Sequence, residues 1–252
     1  MSSSCRLESR PASFHVKPGD ESGVGRPDAT PSAGPPPPAA VTVFGAGLEL
    51  AMRYVEHLAT TGVEWGLIGP REVPRLWDRH VLNCAVVAEL VAADGTVVDL
   101  GSGAGLPGLP LALARDDLEV VLVEPLLRRV EWLQLVVDDL GLRNVRVRRA
   151  RAEDVVGELS VPVVTARAVA PLDRLARWAL PLVSPGGALL AMKGRTVPQE
   201  VIDTRAGVRR AGGVSTDIVT VGVGVLEEAT TVVRVRVGTG QQRTRTGRGG
   251  GT

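Results

Sequence analysis

The run Val97-Val98-Asp99-Leu100-Gly101-Ser102-Gly103-Ala104-Gly105-Leu106-Pro107-Gly108 constrains this chain more than any other. An apolar strand closes on an acid and then meets four glycines in eight positions, with helix formers after them. Glycine turns the backbone sharply and lets it approach a ligand that a Cβ would hold off. A strand, a glycine turn and a helix in that order form the usual cradle for an adenine nucleotide or nucleoside cofactor. Such a unit predicts an α/β sheet with its ligand at the carboxyl ends of the strands.

The pattern downstream agrees. Strand 96–100, helix 107–115, strand 119–123, helix 126–140 closed by Gly141, strands 144–149 and 161–166, helix 172–182 and strand 187–192 follow in order. Segments 214–223 and 230–237 then read as two β-rich runs with a short connection. A seven-stranded, mostly parallel sheet finished by an antiparallel pair is expected. Strand 144–149 alternates Val145 and Val147 with Arg146 and Arg148, as an edge strand does. Upstream, Leu48, Met52, Val55, Leu58 and Ala59 recur at helical spacing. A second helix after Pro74 carries Trp77, Val81, Cys84, Val87 and Val91 on one stripe.

Residues 1–40 are rich in Ser, Pro and Gly, and 238–252 in Gly, Thr, Gln and Arg. Neither segment has enough apolar surface to offset its ordering entropy, so both are expected to be disordered. The folded domain is expected over 41–237, as a helical segment 41–94 and a Rossmann-like core 95–237. No apolar run reaches the roughly 18 residues of a membrane span, and no signal pattern opens the chain. Two cysteines, Cys5 and Cys84, make neither a disulfide framework nor a metal cluster. A cytoplasmic protein without metal, and a monomer, is the expectation.

A net charge of +1 conceals local asymmetry. Arg143, Arg146, Arg148, Arg149 and Arg151 crowd together without an acid, and Arg243, Arg245 and Arg248 fall in the tail. A strip of this kind suits a phosphate backbone, although charged edge strands also serve to discourage aggregation. Trp65, Trp77, Trp132 and Trp178 are the available stacking platforms, with Trp132 and Trp178 assigned to the core. Lys193 is the only lysine besides Lys17.

Two glycine registers are open. Gly101, Gly103 and Gly105 give G-x-G-x-G, the usual turn for S-adenosylmethionine; Gly103, Gly105 and Gly108 give the dinucleotide pattern G-x-G-x-x-G. The acids tilt the choice. Asp99 can hold the ammonium of a methionine moiety but would repel a pyrophosphate. Glu124 ends the second strand, placed for the ribose hydroxyls. Glu153-Asp154 follows the third strand, placed for an adenine amino group. Each acid has a plainer reading: a turn cap for Asp99, a helix cap for Glu124, the start of a helical turn for Glu153-Asp154.

Taken in order, these segments resemble the RsmG (GidB) ribosomal RNA methyltransferases in their actinobacterial form. The resemblance rests on Asp99–Gly108, Arg128-Arg129 with Leu133, Leu142-Arg143-Asn144-Val145, Arg151-Ala152-Glu153, Ala166-Arg167-Ala168-Val169-Ala170, Gly187 with Met192-Lys193-Gly194, and upstream Leu76-Trp77-Asp78-Arg79-His80. It spans about residues 45–235. It implies a class I methyltransferase that uses S-adenosylmethionine to methylate N7 of a guanine in the 530 loop of 16S ribosomal RNA. Cofactor positions carried over are Gly101, Leu106, Ala152, Glu153 and Arg167. Many relatives have an acid and a serine after the histidine, where this chain has Leu82-Asn83.

Guanine N7 offers an in-plane lone pair and has no proton to lose, so positioning and not a general base is what the transfer needs. His57 and His80 accordingly read as packing or surface residues. Arg167, at the end of a buried strand, and Lys193, at the end of the next, are the candidate positioning residues on the acceptor side, with a structural ion pair or a solvated strand end as the plainer alternatives. Two other functions stay open on sequence: an NAD(P)-dependent oxidoreductase using the other register, and an RNA-binding module without chemistry.

Overall fold

The computed structural model describes residues 32–239, apart from 168, 195 and 196. Arg243, Arg245 and Arg248 and residues 1–31 lie outside the described residues. Seven strands form one sheet in the order β3-β2-β1-β4-β5-β7-β6. They are β1 (Thr96–Leu100), β2 (Glu119–Glu124), β3 (Val145–Arg149), β4 (Val161–Arg167), β5 (Val183–Met192), β6 (Gly213–Val221) and β7 (Thr230–Val237). The first five run parallel, and β7 pairs antiparallel with both β5 and β6. This is the expected parallel sheet with an antiparallel finish, and β3 is an edge strand as its alternation predicts.

Parallel strands covered on both faces read as unbroken apolar runs. In β1 Val97 and Val98 are both fully buried, in different halves of the core. One half packs Val97, Leu122 and Val163 against the N-terminal helical segment and the helices Gly108–Ala114 and Leu127–Leu140. The other packs Val98, Val164 and Leu189 against Leu172–Ala179 and Val197–Arg210. Trp132 lies wholly inside the first, its indole N–H donating to Thr61 Oγ1 at 3.0 Å. Trp178 is only half-buried, lying under the Arg174 guanidinium at 4.7 Å instead of entering the core.

Four expectations need correction. A helix begins at Pro38, three residues before the expected domain start at 41. Met52 is exposed, and Ala51 and Tyr54 hold the buried face of helix Leu48–Ala59. The stripe after Pro74 is not one α-helix. It winds as 3-10 (Pro70–Arg75), π (Leu76–Leu82), one α turn (Asn83–Ala85) and 3-10 again (Val86–Leu90). Its apolar side chains nevertheless all face inward, which is what periodicity reports. The sequence pattern predicts no helix between strand 187–192 and segment 214–223, yet Val197–Arg210 is helical. It buries only Val197 and Val208, and Gly207 interrupts its pattern. A Cβ at Gly207 would lie 2.6 Å from Asp173 Cβ, so the glycine sits where two helices touch.

Candidate active site

The loop after β1 is held by its own backbone hydrogen bonds and by side chains that reach it from outside. Gly101 and Ser102 donate their N–H groups to Val123 O, while Gly105 and Leu106 donate to Ser102 O. Gly101, Gly103 and Gly105 take φ of +68°, +58° and +85°. At Gly105 the constraint is twofold, because a Cβ would also come within 2.4 Å of Leu109 Cδ1. Gly108 differs. Its φ is ordinary, but a Cβ there would lie 2.3 Å from Leu122 and 2.9 Å from Asp99 Oδ2. It is a packing glycine at the start of the helix, whereas the other three shape the turn.

Two buried carboxylates frame this loop. Glu124 accepts from Gly103 N through Oε2 and from Leu126 N through Oε1, each at 3.0 Å, with the Arg129 guanidinium 3.7 Å away. It thereby joins the glycine loop to the start of the segment that follows β2. Asp99 accepts from Gly108 N at 3.1 Å through Oδ2, while Oδ1 is buried with no partner among the described residues. Burial pushes the Asp99 carboxyl up to about 7, against the opposing hydrogen bond from Gly108. A buried acceptor without a donor is costly, and an incoming ammonium would satisfy it. The positive-φ turn, the orphaned Asp99 oxygen and the Glu124 carboxylate at the end of β2 fit a cationic nucleoside such as S-adenosylmethionine.

The sequence did not announce Tyr54. This sole tyrosine is fully buried and donates its hydroxyl to Ala104 O at 2.7 Å, pinning the outside of the loop to helix Leu48–Ala59. Its location in an apolar stripe marks it only as core.

Glu153 lies in a 3-10 turn, Ala152–Val155, beyond β3 and is exposed. Asp154 caps that turn by accepting from Arg151 N at 3.1 Å, the plainer of the two readings for this residue. Leu106 is half-buried against the core, next to the cis Leu106–Pro107 bond.

Arg167 closes β4, opposite Met192 of β5. Its Nη2 donates to His80 Nδ1 at 2.7 Å and to Arg79 O at 3.3 Å, and its Nη1 meets Cys84 Sγ at 3.4 Å. Because Nδ1 accepts, Nε2 carries the proton and donates to Glu72 at 2.8 Å. His80 is thus a link between Glu72 and Arg167 and not a surface histidine. Burial, then the neighbouring Arg167 charge, holds its pKa below the usual histidine value, while the hydrogen bond to His80 lowers that of Glu72. Cys84 has its thiol pushed up to about 11 by burial.

Lys193 is not a solvated strand end. Its Nζ donates to Ala170 O at 2.6 Å and to Glu200 at 2.8 Å, and Glu200 also accepts from Leu172 N. It ties the segment after β4 to the unpredicted helix Val197–Arg210.

Beside β3, Arg143, Arg146, Arg148, Arg149 and Arg151 are all exposed. Two are partly neutralised, Arg146 by Glu119 at 3.7 Å and Arg148 by Glu158 at 2.6 Å. Arg143 and Arg149 make no ion pair among the described residues. Among those residues no group of three or more His, Cys, Asp or Glu side chains could hold a metal, and no helix is long and apolar enough to cross a membrane.

Sheet order, antiparallel finish and loop together define a class I S-adenosylmethionine-dependent methyltransferase; a dinucleotide domain would continue in parallel. An O-methyltransferase family protein from Burkholderia thailandensis shares this fold, with a TM-score of 0.51 at 16% identity over 75% of this chain and 63% of that one. Residues 48–227 match the GidB family, described as rRNA small subunit methyltransferase G, and the chain belongs to it. It is 61% identical over 201 residues to the ribosomal RNA small subunit methyltransferase G of Renibacterium salmoninarum, covering 79% of this chain and 94% of that protein. The protein of the same description from Streptomyces coelicolor is 57% identical over 205 residues, covering 81% and 86%. Family membership sets aside the oxidoreductase alternative.

Proposed function

We propose that this protein methylates N7 of a guanine in the 530 loop of 16S ribosomal RNA, by direct in-line transfer without a general base. The observation that carries this is membership of a small-subunit rRNA methyltransferase family over residues 48–227. Bound S-adenosylmethionine supplies an electrophilic methyl group. The residues of this chain supply position. Gly101, Gly103, Gly105 and Leu106 shape the turn, Asp99 and Glu124 receive the ammonium and the ribose, and Ala152 and Glu153 flank the adenine. Arg167, kept in place by His80 and Glu72, faces the acceptor. Lys193 steadies the segment behind it. An aromatic nitrogen with a free lone pair needs alignment and exclusion of water, not proton removal. The imidazole of His80 beside Arg167 supports this, since both its nitrogens are already engaged.

Arg143, Arg146, Arg148 and Arg149 form the proposed path for the RNA backbone, joined by Arg243, Arg245 and Arg248 of the tail. The partner is the small subunit or its RNA, met in the cytoplasm by a monomer. Mass mapping of 16S RNA from cells lacking this protein tests the reading, with purified enzyme and small subunits as the complement. One missing guanine methyl, restored by the enzyme, is expected. A complete methylation pattern in the deletion strain overturns the reading. Calorimetry with S-adenosylhomocysteine and with NADH should show binding of the first alone.

A further inference from the structure

Beside Arg167 lies a cavity of about 1060 Å³ whose lining includes no residue of the glycine turn and neither Asp99 nor Glu124. We propose that it receives an RNA nucleotide extruded from its stack, with Asn83 reading the base. This rests on the RNA-methylating reading above and names the site of its acceptor.

The topology places the cavity. It opens at the ends of β4 and β5 and the start of β7, under the 222–229 connection of the β6–β7 pair. The glycine loop closes β1, which lies next to β4 in the sheet. Arg167, on β4, therefore stands between the cofactor half of the rim and the cavity. Small-molecule pockets run from roughly 300 to 1,000 Å³, so a nucleotide and part of its neighbours fit. Guanine N7 lies on an exposed edge, but aligning a donor with it in line and away from water is easiest when the base leaves its stack and enters a pocket.

The lining says what kind of group fits. Asn83 Nδ2 and Arg167 Nη2 donate to the same carbonyl, Arg79 O, at 3.4 and 3.3 Å. The two side chains thus lie side by side, and both line the cavity. Asn83 Oδ1 accepts no hydrogen bond among the described residues. A guanine edge presents O6, an acceptor, next to the N1–H and N2–H donors. A guanidinium beside a free amide oxygen is the complement of that order. With O6 at Arg167 and the N1–N2 edge at Asn83, N7 lies across O6 from Asn83. On another wall Thr230 is 7% exposed, and its Oγ1 is buried with no partner among the described residues. An unsatisfied buried hydroxyl calls for an explanation, and a bound nucleotide provides a partner. The remaining lining carries both signs, Arg75 and Arg79 against Asp78 and Glu227, which suits a neutral base better than a run of phosphates.

The test uses full-length protein, S-adenosylhomocysteine and an RNA loop carrying 2-aminopurine beside the methylated guanosine, where it reports loss of stacking as that guanine leaves. Wild-type protein should raise the 2-aminopurine fluorescence as the base unstacks. Asn83→Trp, which sets a bulky ring where the base edge would lie, should abolish the rise while leaving S-adenosylhomocysteine affinity within twofold. Asn83→Ala should collapse the preference for guanosine over inosine at that position from about 10- to 100-fold, the worth of a good base contact, to near unity. Thr230→Val should lower kcat/KM for RNA about tenfold with the melting temperature unchanged or raised, because it deletes an unsatisfied hydroxyl. A hydroxyl serving only the fold gives the reverse. If wild-type enzyme methylates no guanine, the functional reading fails and the pocket with it. If it does, and Asn83→Trp and Asn83→Ala retain the fluorescence rise, the guanosine preference and kcat/KM, the pocket alone is overturned.

Discussion

Over β1 and β2 the rim of the sheet is closed by backbone: a turn of positive-φ glycines, tied by N–H groups to Val123 O, Ser102 O and the Glu124 carboxylate. Over β4, β5 and β7 the same rim is open and lined by side chains, with Arg167 and Lys193 held by His80 and Glu200. Geometry stored in the backbone is set before any ligand arrives, and it responds to an added Cβ. Geometry stored in side-chain hydrogen bonds responds to loss of a partner and to pH. The two halves should therefore fail in different ways.

The largest effect is expected from Gly105→Ala. The left-handed backbone costs a side chain about 1–2 kcal/mol, and displacing buried Leu109 about 1–3 more. Calorimetry should show S-adenosylhomocysteine affinity reduced about 100-fold or more, with a lower melting temperature.

Arg167→Lys should spare that affinity within about threefold yet lower kcat/KM for small subunits roughly 30-fold, since hydrogen bonds to a charged group are worth about 1.5–3 kcal/mol. His80→Ala should do the same more weakly, about tenfold, and His80→Asn should restore part of the loss by offering Arg167 an acceptor again. Equal loss of cofactor binding in these variants would erase the distinction between the halves. The pKa of folded His80 is depressed, so its neutral form is the one the fold prefers. Its stabilising contribution is present above the unfolded value of about 6.5 and is lost as pH falls through the lower folded value. The acid limb of kcat/KM should accordingly lie below about pH 6.5 in wild type and flatten in His80→Asn.

Asp99 gives the opposite sign. Its carboxyl is raised to about 7, so the fold disfavours the ionised form, and the free protein should lose stability as pH rises from about 4 toward 7. Binding a cation draws the proton off, so S-adenosylmethionine affinity should tighten through about pH 7. Asp99→Asn should bind about tenfold more weakly at pH 8 and abolish that dependence. The smallest effect sharpens the RNA side. Arg149→Ala should reduce the salt slope of RNA binding by about 0.7 to 0.9, one phosphate's worth. Arg148→Ala, already compensated by Glu158, should reduce it less.

The cofactor half was largely legible because its information is local. Asp99, the glycines and Glu124 sit at strand ends, and a period-two or all-apolar run locates a strand end within a residue or two. The acceptor half was not. Helix Val197–Arg210 is anchored by two buried valines and carries a glycine where it presses on Asp173, so no amphipathic stripe reveals it. The segment after Pro74 kept its inward stripe yet winds through a π turn, a form often found at functional sites.

What the chain's order of residues settles alone is the sheet, its antiparallel finish and the glycine turn after β1, because each is encoded in neighbours a few positions apart. Only the folded molecule decides that Tyr54 pins Ala104, that His80 links Glu72 to Arg167, and that Asn83 and Arg167 share one carbonyl beside a cavity. The three long-range contacts among these join residues 50, 87 and 88 positions apart. Such pairings depend on packing across the whole core, and no local periodicity records them.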